Sequence, residues 1–295
     1  MKKLLSVILP FIVIFSFAFT ASADIGPKPS VHITFNGVND STIYENGTVY
    51  YATLLSERKS TGPSSAWDGV AGHEQHYNYS KEIWQAFADY VDKDGYYFLQ
   101  EVWDCTETHQ LDWTYYPPSR FKILLYFPET DIYFMSDIYE RYAFDSYYTV
   151  NIISDMYAGQ LLKAEKSYDF TWEIISLAAR IVATILLEIA IAFIFGYREK
   201  KTLAFIAAVN IITQIALNVS LNIVNYNSGS MAFTFYFILF EIAVFAIEAA
   251  VYSLLLKKFS SKAAKRGKAA AYAFAANLAS FATGLWLAHI IPGIF

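Results

Sequence analysis

Cysteine is almost missing from this chain. One thiol, Cys105, in 295 residues excludes an intrachain disulfide, so an exported domain here must be held by its core alone. Cationic charge is scarce in the first half: residues 24–170 carry 22 acidic and 10 basic side chains, a balance of −12. That excludes nucleic acid as a partner, because phosphate contacts need clustered Lys and Arg. A phosphate-cradling glycine loop is also lacking, as are the HExxH and paired-glutamate-with-histidine patterns of membrane metalloproteases. The only histidine in the apolar C-terminal segments is His289, near an end. Enzyme activity is therefore the less favoured branch, and no cofactor is expected.

Apolar residues make up 55% of the chain, too many for an ordinary soluble domain, and residues 171–295 reverse the charge balance to +5. A composite protein follows. The N-terminus reads as an export signal: Lys2 and Lys3, an apolar run from Leu4 to Phe19, then Ala21-Ser22-Ala23 with small residues where signal peptidase needs them. Residues 1–23 are the expected signal peptide and Asp24 the mature start. An uncleaved anchor helix is the alternative, against which Pro10 and the small-residue end weigh.

From residue 24 to 152 the chain is dense in aromatics, with alternating runs that suit half-buried strands. Strands are expected at 31–35, 48–54, 96–100, 121–127, 132–135 and 147–152. Turn signals lie at Asn36-Gly37, Asn46-Gly47, Asp94-Gly95, Pro117-Pro118 and Pro128-Glu129. Ile83, Trp84, Phe87, Tyr90 and Val91 recur instead at helical spacing behind Ser80, a suitable N-cap. The expectation is a β-rich, sandwich-like extracytoplasmic domain with one short helix. Residues 153–171 read as a juxtamembrane connector.

Beyond it, four apolar stretches are long enough to span a membrane, at about 172–197, 202–225, 232–256 and 269–292. The fold class is thus an α+β membrane protein ending in a four-helix bundle, residues 172–295. Arg198, Lys200 and Lys201 separate the first two spans, and six Lys and Arg between Lys257 and Lys268 separate the last two. The loop Asn225–Ser230 has no basic residue, so the positive-inside rule puts both basic loops in the cytoplasm. Residues 24–171 and the C-terminus are then outside, in agreement with the signal peptide. Trp172, Tyr197, Tyr226, Tyr252 and Tyr272 fall near the expected membrane boundaries.

Ionisable side chains inside a span cost about 2.5–3.5 kcal/mol each and are normally turned inward. Arg180 and Glu188 lie in the first span, Glu241 and Glu248 in the third. The second span places Asn210, Gln214, Asn218 and Asn222 at successive i+4 positions, and the fourth offers Asn277, Ser280 and Gly284. Counting depth at about 1.5 Å per residue sets Glu188, Asn210, Glu248 and Asn277 at one level, one from each helix. Arg180, Asn218 and Glu241 form a second layer, with a candidate Arg180–Glu241 ion pair, and Gln214 lies between the layers. Two carboxyls held together in low dielectric cannot both ionise cheaply, which points to a proton- or cation-binding site. The competing reading is polar glue, interhelical hydrogen bonds worth about 0.6 kcal/mol each.

Weaker signals have plainer readings. His73-Glu74-Gln75-His76 has no further ligand and reads as a solvated loop. Asp92, Asp94, Gly95 and Glu101 match the third, fifth, sixth and twelfth positions of a calcium loop. Tyr90 occupies the first, where a carboxylate is needed, so a helix-to-strand turn explains them equally well. The metal question stays open. Asn39, Asn46 and Asn78 lie in glycosylation sequons, and Cys105 reads as buried rather than nucleophilic.

Several short motifs together resemble an uncharacterised family of bacterial membrane proteins. They are "GPKPS" (Gly26–Ser30), "YATLLS" (Tyr51–Ser56), "STGP" (Ser60–Pro63), Glu188, "NIITQIALN" (Asn210–Asn218), the Glu241/Glu248 pair and "NLASFATG" (Asn277–Gly284). The resemblance implies a signal peptide, an exported domain and four transmembrane helices, and no activity. The leading expectation is a multi-pass plasma-membrane protein with a buried carboxyl-amide cluster that binds or moves protons or cations. The alternatives are a membrane-anchored extracellular ligand-binding or sensing module, and a membrane subunit whose polar helix faces meet a partner protein. In each case the lipid bilayer is the first partner.

Overall fold

The computed structural model describes residues 26–37, 48–70, 80–152, 161–260 and 266–290. The signal peptide, the cluster at 73–76, the sequons at Asn39, Asn46 and Asn78, and the tail beyond 290 lie outside them, as do the side chains of Trp172 and His289. β-Sheets occupy the N-terminal part and helices the C-terminal part.

Two main sheets form in the first part. One has strand order β12-β11-β1-β7, built from β1 (Ser30–Asn36), β7 (Gln110–Trp113), β11 (Asp145–Asn151) and β12 (Ala164–Lys166), with β1 parallel to β11. The other has six strands around β2 (Tyr51–Ser56) and β8 (Arg120–Phe127). They are joined by β5 (Tyr97–Phe98), β6 (Trp103–Asp104), β9 (Ile132–Met135) and β10 (Tyr139–Glu140). A small hairpin, β3 (Ser60–Thr61) and β4 (Ser64–Ser65), stands apart.

Strand β8 shows how the sequence organises these layers. Side chains alternate across a strand, so "FKILLYF" divides between two faces. Phe121, Ile123, Leu125 and Phe127 join Val31, Ile33, Leu111 and Val150 of the first sheet in one core. Leu124 and Tyr126 face the other way and pack with Trp84 and Phe87 of helix α1 (Lys81–Asp89). The β8 sheet is thus covered on both faces. α1 begins where expected: the Ser80 side chain accepts from the Ile83 amide at 3.4 Å, and the helix ends before Tyr90, whose backbone is extended.

The connector reading needs correction. Residues 164–166 pair antiparallel with β11 as an edge strand, so the β-rich part reaches Lys166 rather than ending at 152. "AEK" carries no strand pattern and is recruited by the open edge of β11.

The C-terminal part contains helices α2 (Thr171–Ile194), α3 (Lys200–Leu255) and α4 (Arg266–Ile290), with a 3-10 turn at Leu256–Lys258. Two of them, α2 and α3, are long and apolar enough to cross a membrane. The expectation of four separate spans is corrected accordingly. Within α3 two helical arms meet in a break at Gly229 (φ 78°, ψ 178°), inside the turn expected at residues 225–230, which is tight rather than an extended loop. Such a backbone is open essentially to glycine alone.

At that break α3 folds back on itself. Thr202 Oγ1 donates to the Phe259 carbonyl at 2.7 Å, Asn210 reaches Tyr252, and Thr213 reaches Glu248, a register that runs the two arms antiparallel. Lys200, Lys201, Lys257 and Lys258 consequently lie at one end, where Lys268 Nζ stands 5.2 Å from the Tyr197 ring centre. The β-rich part meets the other end: the Phe144 amide donates to the Tyr226 carbonyl at 2.8 Å, and Tyr142, Tyr168 and Phe170 pack their rings around Tyr226.

Candidate functional site

The helices turn polar stripes inward. On α2, Ser176, Arg180, Thr184 and Glu188 recur every four residues and all are buried, while Ile174, Val182 and Leu186 point outward. On α3 the first arm buries Asn210, Thr213, Gln214 and Asn218 and exposes Ile211, Ile212 and Ile215. The second arm buries Glu248 and Tyr252, and α4 buries Tyr272, Asn277 and Ser280.

Glu188, Asn210, Glu248 and Asn277 meet at one level. Glu188 Oε2 accepts a short hydrogen bond from Asn210 Nδ2 and a 3.0 Å bond from the Tyr272 hydroxyl, with the Tyr252 hydroxyl at 3.4 Å. Glu248 Oε1 accepts from Thr213 Oγ1 at 2.6 Å, and its Oε2 accepts from Asn277 Nδ2 at 2.8 Å. Thr213 Oγ1 also donates to the Asn210 carbonyl at 3.1 Å, which joins the two carboxyls into one cluster. Glu188 is 1% exposed and Glu248 not at all.

Every donor to this pair is a neutral amide or hydroxyl, and no ion pair to either carboxyl occurs among the described residues. Two buried carboxyls in one cluster cannot both ionise cheaply, which favours a proton on one of them. Asn210 Oδ1 is buried beside the pair with no hydrogen-bond partner among the described residues. The cluster therefore has acceptor oxygens in excess over protein donors. That balance suits a proton or a small cation.

The remaining expected residues lie close by but outside this contact. Asn218 Nδ2 donates to the Gln214 carbonyl at 2.8 Å and to Gln214 Oε1 at 3.3 Å, so this pair bonds within its own helix. No Arg180–Glu241 salt bridge occurs among the described residues. The Arg180 guanidinium lies 5.3 Å from the Phe237 ring centre. Glu241 instead lines a cavity of about 280 Å³ beside Phe245, Phe274 and Asn277. Between the two levels Ser280 Oγ bonds Thr184 Oγ1 at 3.1 Å, joining α4 to α2.

Sequence reasoning missed three contributors. Thr213 is three residues from Asn210, and Tyr252 four from Glu248, so helical spacing alone would have found both. Tyr252 and Tyr272 were expected at the membrane boundary; both are fully buried, as Tyr197 nearly is, because their hydroxyls or rings complete the interior packing. Ser176 and Thr184 continue the i+4 pattern already visible around Arg180 and Glu188.

Two polar groups of the β-rich part also need an account. Asp92 and Asp94, read against a calcium loop, hold a side-chain cation: Lys122 Nζ lies 2.8 and 3.0 Å from the Asp92 oxygens and 2.5 Å from Asp94 Oδ2. Asp92 also accepts the Asp94 and Tyr96 amides, and Glu101 turns away to bond Ser64. No group of three or more His, Cys, Asp and Glu able to hold a metal occurs among the described residues. Ser30, His32 and Asp112 form a chain, Oγ to Nε2 at 2.8 Å and Nδ1 to Oδ1 at 2.6 Å, with the connectivity of a serine-hydrolase relay. However, Ser30 is 4% exposed and its hydroxyl donates to Asp145 Oδ1 at 2.5 Å, so the chain ties β7, β1 and β11 together instead of presenting a nucleophile. Cys105 is fully buried, its thiol pushed up by burial and by Asp104 and Asp112, which leaves it inert.

Comparison of the chain with protein-family models, with curated proteins and with solved structures finds no match.

Proposed function

We propose that this is a multi-pass plasma-membrane protein whose helices hold an exchangeable proton on the Glu188–Glu248 pair. The observation that carries the reading is a cluster that brings together two buried carboxyls from different helices and surrounds them only with neutral donors. Polar glue does not need this arrangement. Asn or Ser would tie the helices together without the desolvation penalty of a carboxyl.

In this reading α2, both arms of α3, and α4 cross the membrane, four crossings in all. The basic end faces the cytoplasm and the acidic β-rich part faces outward, which the positive-inside rule and the export-signal pattern both favour. The core shared by the two main sheets favours a sandwich-like outer domain. Asn210 and Tyr272 position Glu188, while Thr213 and Asn277 position Glu248. A small monovalent cation would use the same carboxyl oxygens and Asn210 Oδ1.

The test is infrared difference spectroscopy of the full-length protein in lipid across a pH jump, paired with proton flux into proteoliposomes. The parent should show a protonated-carboxyl band that titrates, and both Glu188→Gln and Glu248→Gln should remove it together with any flux. Retention of the same band and flux by a correctly inserted double variant refutes the proposal.

A further inference from the structure

All three arginines between residues 24 and 170, Arg58, Arg120 and Arg141, line a single cavity of about 370 Å³ on the β-rich part. They reach it from separate places: the turn after β2, the first residue of β8 and the residue after β10. The facing wall is the β3–β4 hairpin, which carries the "STGP" motif, together with the segment from Tyr116 to Ser119. That wall is fixed. Thr61 Oγ1 donates to the Tyr116 carbonyl at 2.9 Å, and Gly62 (φ 49°) lies so close that an added Cβ would be 2.6 Å from Tyr116 Cβ.

The three guanidiniums are not equivalent. Arg120 is committed, with Nη1 2.9 Å from Glu57 Oε1 and Nε 3.0 Å from Glu140 Oε1. Arg58 and Arg141 make no side-chain hydrogen bond or ion pair among the described residues. In a segment with 22 carboxylates to 10 basic groups, two guanidiniums without a carboxylate contact at the same cavity are unexpected from surface pairing. Burial pushes the Arg141 guanidinium below its ordinary value, and Asp145 opposes this.

We infer that this cavity binds a phosphate group. Two uncommitted guanidinium forks supply paired N–H donors, and the Ser60 and Ser119 hydroxyls add more. A tetrahedral phosphate uses donors arriving from several directions better than a planar carboxylate does. Tyr116, Pro117 and Pro118 offer an apolar surface for the ligand's carbon skeleton, and Lys28 Nζ, 5.5 Å from the Tyr116 ring centre, adds charge nearby. The phosphate belongs either to a soluble ester or to a phospholipid headgroup. Arg141 is three residues from Phe144, which bonds the turn of α3, so headgroups are within consideration on geometric grounds. This inference does not depend on the carboxyl pair in the helices.

The full-length protein in neutral detergent is titrated with inorganic phosphate by calorimetry, and its melting temperature is compared in nanodiscs of phosphatidylglycerol and of phosphatidylcholine. Arg58 is exposed, so Arg58→Gln keeps the fold; Arg141→Gln is the second variant, and Lys81→Gln, remote from the cavity, is the control. Loss of one charge-assisted contact should weaken phosphate binding about tenfold or more in both Arg variants and not in the control. Saturable phosphate binding with that pattern supports a soluble ester. Stabilisation by phosphatidylglycerol that is lost in the Arg variants, without binding of free phosphate, supports a headgroup. The inference is overturned if the parent responds to neither ligand, or if both Arg variants respond as the parent does.

Discussion

Replacing Lys122 with methionine removes the ammonium that joins Asp92 and Asp94. The Lys122 side chain is 3% exposed and that of Asp92 is 0% exposed, so the change strands a carboxylate in the interior with only the Asp94 and Tyr96 amides as donors. Breaking a buried pair from one side costs about 3–5 kcal/mol. For a part of this size, at roughly 4 °C per kcal/mol, the melting temperature should fall by about 12–20 °C. Trp67, Trp84, Trp103 and Trp113 all lie in the β-rich part, so its unfolding can be followed by tryptophan fluorescence in the intact, detergent-solubilised protein. Adding Asp92→Asn to Lys122→Met removes the stranded charge and should recover at least half of the loss. The reasoning fails if Lys122→Met costs under about 1 kcal/mol, or if the double variant is no more stable than the single. The pH dependence has a definite sign. Burial pushes the Lys122 ammonium down, but its bonds to Asp92 and Asp94 outweigh that and hold it above its ordinary 10.5. The stabilisation is therefore full below that value and lost as pH rises through the folded one. Asp94, held below its ordinary 3.8 by the same bond, stabilises above that value and loses its effect as pH falls further.

Gly229→Ala should destabilise the α3 turn by at least about 1–3 kcal/mol from backbone strain alone, because φ is 78° there. An added Cβ would also lie 2.5 Å from the Phe144 ring, so Phe144→Ala should relieve only the steric share; thermal unfolding of the two single variants and the double separates the terms. Cys105 should resist maleimide in the native protein and react on unfolding, as labelling followed by mass spectrometry would show; fast native labelling would contradict its burial. Tyr272→Phe removes one 3.0 Å donor to Glu188 and should shift the titration of its infrared carboxyl band while leaving insertion intact. An unmoved titration would mean that the hydroxyl does not act on the carboxyl.

Periodic features were the legible ones. The i+4 stripe through Asn210, Gln214 and Asn218 and the isolated glutamates Glu188 and Glu248 marked the helix interior before any coordinates, because lipid penalises such groups on an outward face. Long alternating runs likewise located β1, β8 and β11, and Ser80 located the start of α1. Features imposed by neighbours were not legible. β12 is polar and exists because β11 has an open edge, and β3, β4 and β6 are two-residue strands too short to carry a period. Lys122 lies 30 residues from Asp92, so nothing local marked it as the cation for a carboxylate pair. An aromatic near a span end fits the membrane boundary and the interior equally well by sequence. Tyr252 and Tyr272 were decided by what they touch.

The turn of α3 is completed by a residue made long before it. Phe144 fills the space beside Gly229 and its amide takes the Tyr226 carbonyl, so the apex of the helical hairpin rests on a strand end more than eighty positions earlier in the chain. Since synthesis runs from the N-terminus, the platform exists before the hairpin does. Assembly of the helices then becomes a docking step onto preformed structure, and lesions in the β-rich part, Phe144 among them, should surface as failures of helix insertion or maturation rather than as local unfolding alone.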